Sequence, residues 1–178
     1  ATPVVLRVGQ GSGLGTDQTG TALQIVAGAV NYFSVVVASP QTTGSDFVGP
    51  STVTARDQYG NVVAGFDASA DNVTITASNG GAMVDNVLSA GTSFSGGVAD
   101  LTDIDGAGAG TAGVQYNGPA SASGIQFTAA SVSGAVGTSG NVVVDNAAAT
   151  QFVMTNKATV EANDPYTAGV GFNVSIEA

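Results

Sequence analysis

Apolar residues recur along this chain at every second position. Phe33, Val35 and Val37 alternate within Tyr32 to Ser39, and Val36 with Ala38 makes the opposite face apolar too, which predicts a strand covered on both sides. Val53 and Ala55 alternate with Thr52, Thr54 and Arg56, the pattern of a strand with one buried face. Asp71 to Ser78 sets Val73, Ile75 and Ala77 against Asn72, Thr74 and Thr76. Further strands are expected at 1–8, 23–26, 82–88, 95–101, 111–116, 124–129 and 141–145. Between these runs stand turn signals. Asp57 to Asn61 carries side chains that bond nearby backbone, with Gly60 free to take positive φ. Asn79-Gly80-Gly81 predicts a hairpin that returns 82–88 alongside 71–78, and Asn117-Gly118-Pro119 predicts another pairing 111–116 with 124–129.

No stretch of helical length shows a 3.6-residue period. Five Leu, two Glu and one Lys leave little material for exposed helix faces. The expectation is all-β, with about seven to nine short strands in the spacing of a sandwich.

Composition changes the picture in three respects. Hydrophobic residues are 43 % of the chain, enough for a core, whereas charged residues are only 9 %, against about 25 % in ordinary globular proteins. Net charge is −10, and the only cations are Arg7, Arg56 and Lys157. An acidic surface of this kind repels phosphate, so nucleic acid is excluded as a partner. With neither Cys nor His, disulfides, thiolate metal sites and the usual zinc ligands and catalytic base are absent from the sequence. No apolar run reaches the ~18 residues needed to span a membrane. The chain opens at Ala1 without Met or a signal-like stretch, as a mature or excised product would.

The segment from Val53 to Phe66, a strand and turn leading into Val62, Val63 and Phe66, resembles a hallmark of bacterial immunoglobulin-like repeat domains of the invasin and intimin type. Gly97-Val98-Ala99 followed by Leu101, and Ala109-Gly110-Thr111 further on, resemble later strands of the same family. The resemblance covers residues 1–147, with insertions at 9–22 and 40–50. It implies an immunoglobulin-like antiparallel β-sandwich in an extracellular, cell-surface setting.

Residues 148–178 read as the start of a second unit. Ala149-Thr-Gln-Phe-Val-Met154 matches Ala1-Thr-Pro-Val-Val-Leu6, and 168–178 echoes 27–38, with Phe172 standing for Phe33. Two or three strands cannot bury a core alone. The tail is therefore either part of a longer repeat array or a set of strands donated to a neighbouring copy.

Candidate chemistry is sparse. Asp100, Asp103 and Asp105, the last beside Gly106, present alternating acidic oxygens as calcium loops do. The helix-flanked spacing with its terminal Glu is missing, which leaves an ordinary acidic turn as the alternative. Asp57 and Asn61 are expected to serve turn hydrogen bonds. Asn72-Val-Thr74 and Asn173-Val-Ser175 fit the glycosylation acceptor pattern. Nothing holds two carboxylates in an identifiable cleft, so an enzyme is not expected. The sequence points to a structural repeat or subunit of an extracellular assembly (stalk, surface layer or filament), with copies of itself or adjacent repeats as partners. The alternative is an adhesin that binds glycan or a host protein through its loops.

Overall fold

A computed structural model describes residues 26–104 and 113–148, together with the backbone of 153–155 and 175–177. The expected strand at 1–8, the insertion at 9–22 and all but Val26 of the strand expected at 23–26 lie outside these residues. The described chain is all-β, without a helix.

The alternating segments become strands, shorter than the sequence suggests. β1 (Tyr32–Val36) buries Phe33 and Val35, and β3 (Thr52–Arg56) buries Val53 and Ala55. They pair antiparallel from Tyr32 opposite Arg56 to Val36 opposite Thr52. β4 (Val73–Ala77) turns Val73, Ile75 and Ala77 inward. It pairs with β6 (Val87–Leu88) on one side and β10 (Phe127–Ser131) on the other. β7 (Val98–Asp100) flanks β3, and β11 (Val136–Thr138) lies between β10 and β1. The result is a seven-stranded sheet in the order β6-β4-β10-β11-β1-β3-β7.

Smaller ladders supply the rest of the packing. β2 (Gln41–Thr42), β12 (Val142–Asp145) and β9 (Ser121–Ile125) form a three-stranded sheet in the order β2-β12-β9. β5 (Met83–Val84) pairs with β8 (Gln115–Tyr116). The 41–47 stretch stitches these together: Thr43 donates its amide to Asp145, Gly44 to Tyr116 and Phe47 to Val114. Two aromatic clusters tie the core. Phe33, Phe66 and Phe94 meet at centroid distances of 4.7–6.3 Å. Phe127 meets Phe47 at 4.9 Å and Tyr116 at 5.8 Å, both edge-on.

Several pairings differ from expectation. The sheets are not wholly antiparallel: β1 runs parallel to β11, and β2 parallel to β12. Parallel neighbours need a long connection, and both pairs join segments far apart in the chain, beyond the reach of turn signals. The turn at Asn79-Gly80 does form, with Gly80 at φ 72°. The returning stretch splits, however, so that β5 leaves for β8 and only β6 comes back to β4. Strands 115–116 and 121–131 do not pair with each other. Residues 121–131 change sheets at Gln126, serving β12 before it and β4 and β11 after it. After the Asp57 turn the expected second strand shrinks to one bridge, Arg56 to Val62.

The expected insertion at 40–50 is woven into the fold. Buried Gln41 donates from Nε2 to the carbonyls of Ala38 and Val48 and accepts the Val48 amide at Oε1, closing the loop on itself. Phe47 then reaches the core. The last two strands, β13 (Val153–Thr155) and β14 (Ser175–Glu177), pair antiparallel with each other and with no other described strand.

Candidate functional site

The most densely bonded polar group described is the carboxylate of Asp57, at the end of β3. Strand alternation aims residue 57 inward, where its side chain is 1 % exposed. An isolated charge there would be costly, but donors surround it. Oδ1 accepts the amides of Tyr59 at 2.9 Å and Asn61 at 2.8 Å. Oδ2 accepts the Asn61 carboxamide at 3.0 Å and the Gly28 amide at 3.0 Å. Gly60 takes φ 86° and donates its amide to the Asp57 carbonyl, while Arg56 caps the Gly60 carbonyl from Nη1 at 2.7 Å. The expected turn bonding of Asp57 and Asn61 is therefore present. Sequence reading had no signal for Gly28, which ties the incoming chain to the same carboxylate.

The Asn61 carboxamide, followed by the Gly28, Asn61 and Tyr59 amides, holds the Asp57 carboxyl down to about 2 against the raising effect of burial. Asp67 is likewise lowered, by the Ser69 hydroxyl and amide. For Asp71 burial pushes upward, but the Ser133 hydroxyl and amide and weaker donors more than offset it. A depressed carboxylate stabilises the fold above its unfolded value, and that contribution disappears as pH falls through the folded value. Thermal stability is expected to fall between about pH 4 and pH 2. Asp57→Asn should lower the melting temperature at pH 7 by on the order of 5–10 °C. Its deficit against the parent should then shrink through that acid window. A deficit that stays constant down to pH 2 would mean that the charge of Asp57 contributes nothing.

Two clefts flank this turn. One, of about 260 Å³, is lined by 28–31 and 57–59. The other, of about 480 Å³, lies between Val26-Ala27 and Val62 to Gly65. The first is smaller than a usual ligand pocket, and the second is lined by aliphatic residues and glycine without a polar side chain to orient a ligand. The Asp57 carboxylate beside the first already holds four hydrogen bonds. This geometry fixes a turn.

The acidic trio is only partly described. Asp100 ends β7, and its Oδ1 accepts the Thr102 amide at 2.9 Å and hydroxyl at 2.8 Å. Asp103 follows in the loop, donating its amide to the Asp100 carbonyl. Asp105 lies outside the described residues. Among the described residues no group of three or more acidic, His or Cys side chains is placed to hold a metal. Asn72 is exposed at the entry to β4 and Thr74 is half-buried on the same face; Asn173 lies outside the described residues.

Sequence reading also missed the Tyr116 network. The buried phenol accepts from the Asn79 carboxamide at 2.6 Å and donates to the Pro119 carbonyl at 3.1 Å. Gly81 and Gly118 lie so near the ring that neither could carry a Cβ without collision. Gly118 stands two positions from Tyr116, but Gly81 is 35 positions away, so the contact had no local signal.

Comparisons with family models, with curated proteins and with solved structures gave no match. No described helix is long and apolar enough to cross a membrane.

Proposed function

We propose that the chain is a structural subunit of an extracellular, cell-surface assembly: an immunoglobulin-like β-sandwich repeat of the bacterial surface type that joins to further copies through its C-terminal strands. The observation carrying this reading is the isolation of β13 and β14, which bond only to each other among the described strands. A two-stranded ladder is marginal in water and gains stability by joining a larger sheet. Exposed ladder edges make such joining inexpensive, and a repeated head-to-tail contact propagates into a filament. The low proportion of charged residues suits a scaffold. For the adhesin alternative, the 40–50 loop is an ordered segment in which Gln41 and Phe47 are buried and Thr42, Gly44, Ser45, Val48, Gly49 and Pro50 stay exposed.

The test is to image the purified full chain by electron microscopy and compare it with Met154→Pro, which removes a ladder donor from β13. Filaments or a ladder of oligomers are expected from the parent, and their loss from the variant. A parent chain that stays monomeric at all concentrations, with 148–178 open to protease, would exclude this function.

A further inference from the structure

The sequence predicts cover on both sides of the strand at 32–39, yet on the outward face of the seven-stranded sheet Val36, Val87 and Val136 are 50 %, 48 % and 48 % exposed. Ladder register organises this face. Thr76 lies opposite Thr128, and Thr128 opposite Thr138, their hydroxyls 3.0 Å apart in the second pair. The parallel match of Tyr32 with Val136 sets Ser34 level with Thr138, and Ser34 leads on to Thr54 and Val98. A row of five hydroxyl residues ending in a valine thus crosses six strands. On one side of it runs Val136, Tyr32 and Arg56; on the other runs Val36, Thr52 and Asp100.

Charge distinguishes this face from the rest. The chain carries a net −10, and Asp57, Asp67, Asp71, Asp85 and Asp103 all lie in turns or loops. On the outward face the strands present one cation, Arg56, and one anion, Asp100, in the two flanking rows. Two copies can approach here without acid facing acid.

We propose that this face is a homodimer interface, in which two copies stack their seven-stranded sheets about a two-fold axis lying along the hydroxyl row. The axis exchanges the flanking rows. Arg56 of one copy then sits over Thr52 of the other, one strand from that copy's Asp100. Val136 arrives one strand from Val36 of the second copy. Both contacts occur twice, and both close a lateral step of about 4.8 Å that the customary ~30° between packed sheets accommodates. The patch is about 30 Å across seven strands. It buries on the order of 1,000 Å² in total, the low end for specific association, so the contact is weak alone and is strengthened where copies are arrayed. It does not involve β13 or β14, and it goes beyond the end-to-end joining proposed above.

Sedimentation equilibrium in the Met154→Pro background tests the face with the tail ladder removed. The expected result is a monomer–dimer equilibrium whose dissociation constant rises at least tenfold in Val136→Lys, with an unchanged melting temperature. Arg56→Asp and Asp100→Arg should each weaken the dimer about tenfold by placing like charges together, and the double variant should recover most of the loss. A protein monomeric at every concentration overturns the proposal. So does a dimer that none of these substitutions affects, or a double variant no better than either single one. Failure of the face leaves the tail reading standing, because filament loss in Met154→Pro is read separately.

Discussion

Truncating Phe127 to Ala is expected to lower the free energy of unfolding by about 3–5 kcal/mol, the range for an aromatic removed from a closed core. Phe127 opens β10 immediately after the strand changes sheets and is fully buried. Its ring takes edge-on contacts from Phe47 and Tyr116, which come from the 41–47 stitch and from β8. Each such contact contributes roughly 0.5–1.5 kcal/mol beyond the area it hides. One side chain thus joins the large sheet to two of the smaller elements. Because whole domains retain only about 5–15 kcal/mol, the variant should lie at the edge of folding. Urea titration gives the measurement: the midpoint should fall sharply, with the slope preserved if the native state stays compact. Phe127→Leu, which keeps most of the volume, should lose about 1.5 kcal/mol or less. If Ala and Leu cost the same small amount, the sheets do not meet at this ring.

The contrast between what alternation reveals and what it hides is clear in these same residues. Val53, Ala55, Val73, Ile75 and Ala77 are buried as their period-2 spacing requires, because strand geometry alone dictates which face they share. The Asp57 turn was legible for a similar reason: its acceptors and donors lie within five residues of one another. Pairing partners were not legible. Residues 115–116 meet 83–84, and 121–131 serves three other strands, since those choices are settled by packing between distant segments. Gln41 escaped notice because a polar residue in a Gly- and Thr-rich stretch looks like loop, although its carboxamide is satisfied entirely by backbone. The apolar neighbours of Val36 predict a covered side, and only the register shows that this side faces outward with the threonines. Of the candidate site, the chemistry of Asp57 followed from its turn, whereas the partnership with Gly28 depended on a contact across 29 positions.

Among the described glycines Gly137 should be the one where a methyl does most damage, Gly137→Ala costing about 3 kcal/mol or more. Gly137 lies at the centre of β11, between its neighbours Val136 and Thr138, which face outward, so a side chain here would point toward the core. A Cβ built there collides with the Phe33 carbonyl oxygen, with the Phe33 carbonyl carbon at 2.6 Å and Phe33 Cβ at 2.9 Å. The obstacle is backbone, so no rotamer change can relieve it. Neither strand can step aside: β1 is held by β3 on its far side, and β11 by β10. Conformational preference is not the cause, because Gly137 is absent from the positive-φ glycines. Two other glycines separate the effects. Gly134 takes φ 100° in open space, so Gly134→Ala should cost about 1 kcal/mol through strain alone. Gly140 has neither positive φ nor a neighbour within 4 Å, and Gly140→Ala should be neutral or slightly stabilising by reducing the freedom of the unfolded chain. The expected order of chemical denaturation midpoints is therefore Gly140→Ala highest, Gly134→Ala next and Gly137→Ala far below. If Gly137→Ala instead matched Gly140→Ala, β1 and β11 could not lie side by side in parallel. The hydroxyl row that depends on that pairing would then be broken at Ser34.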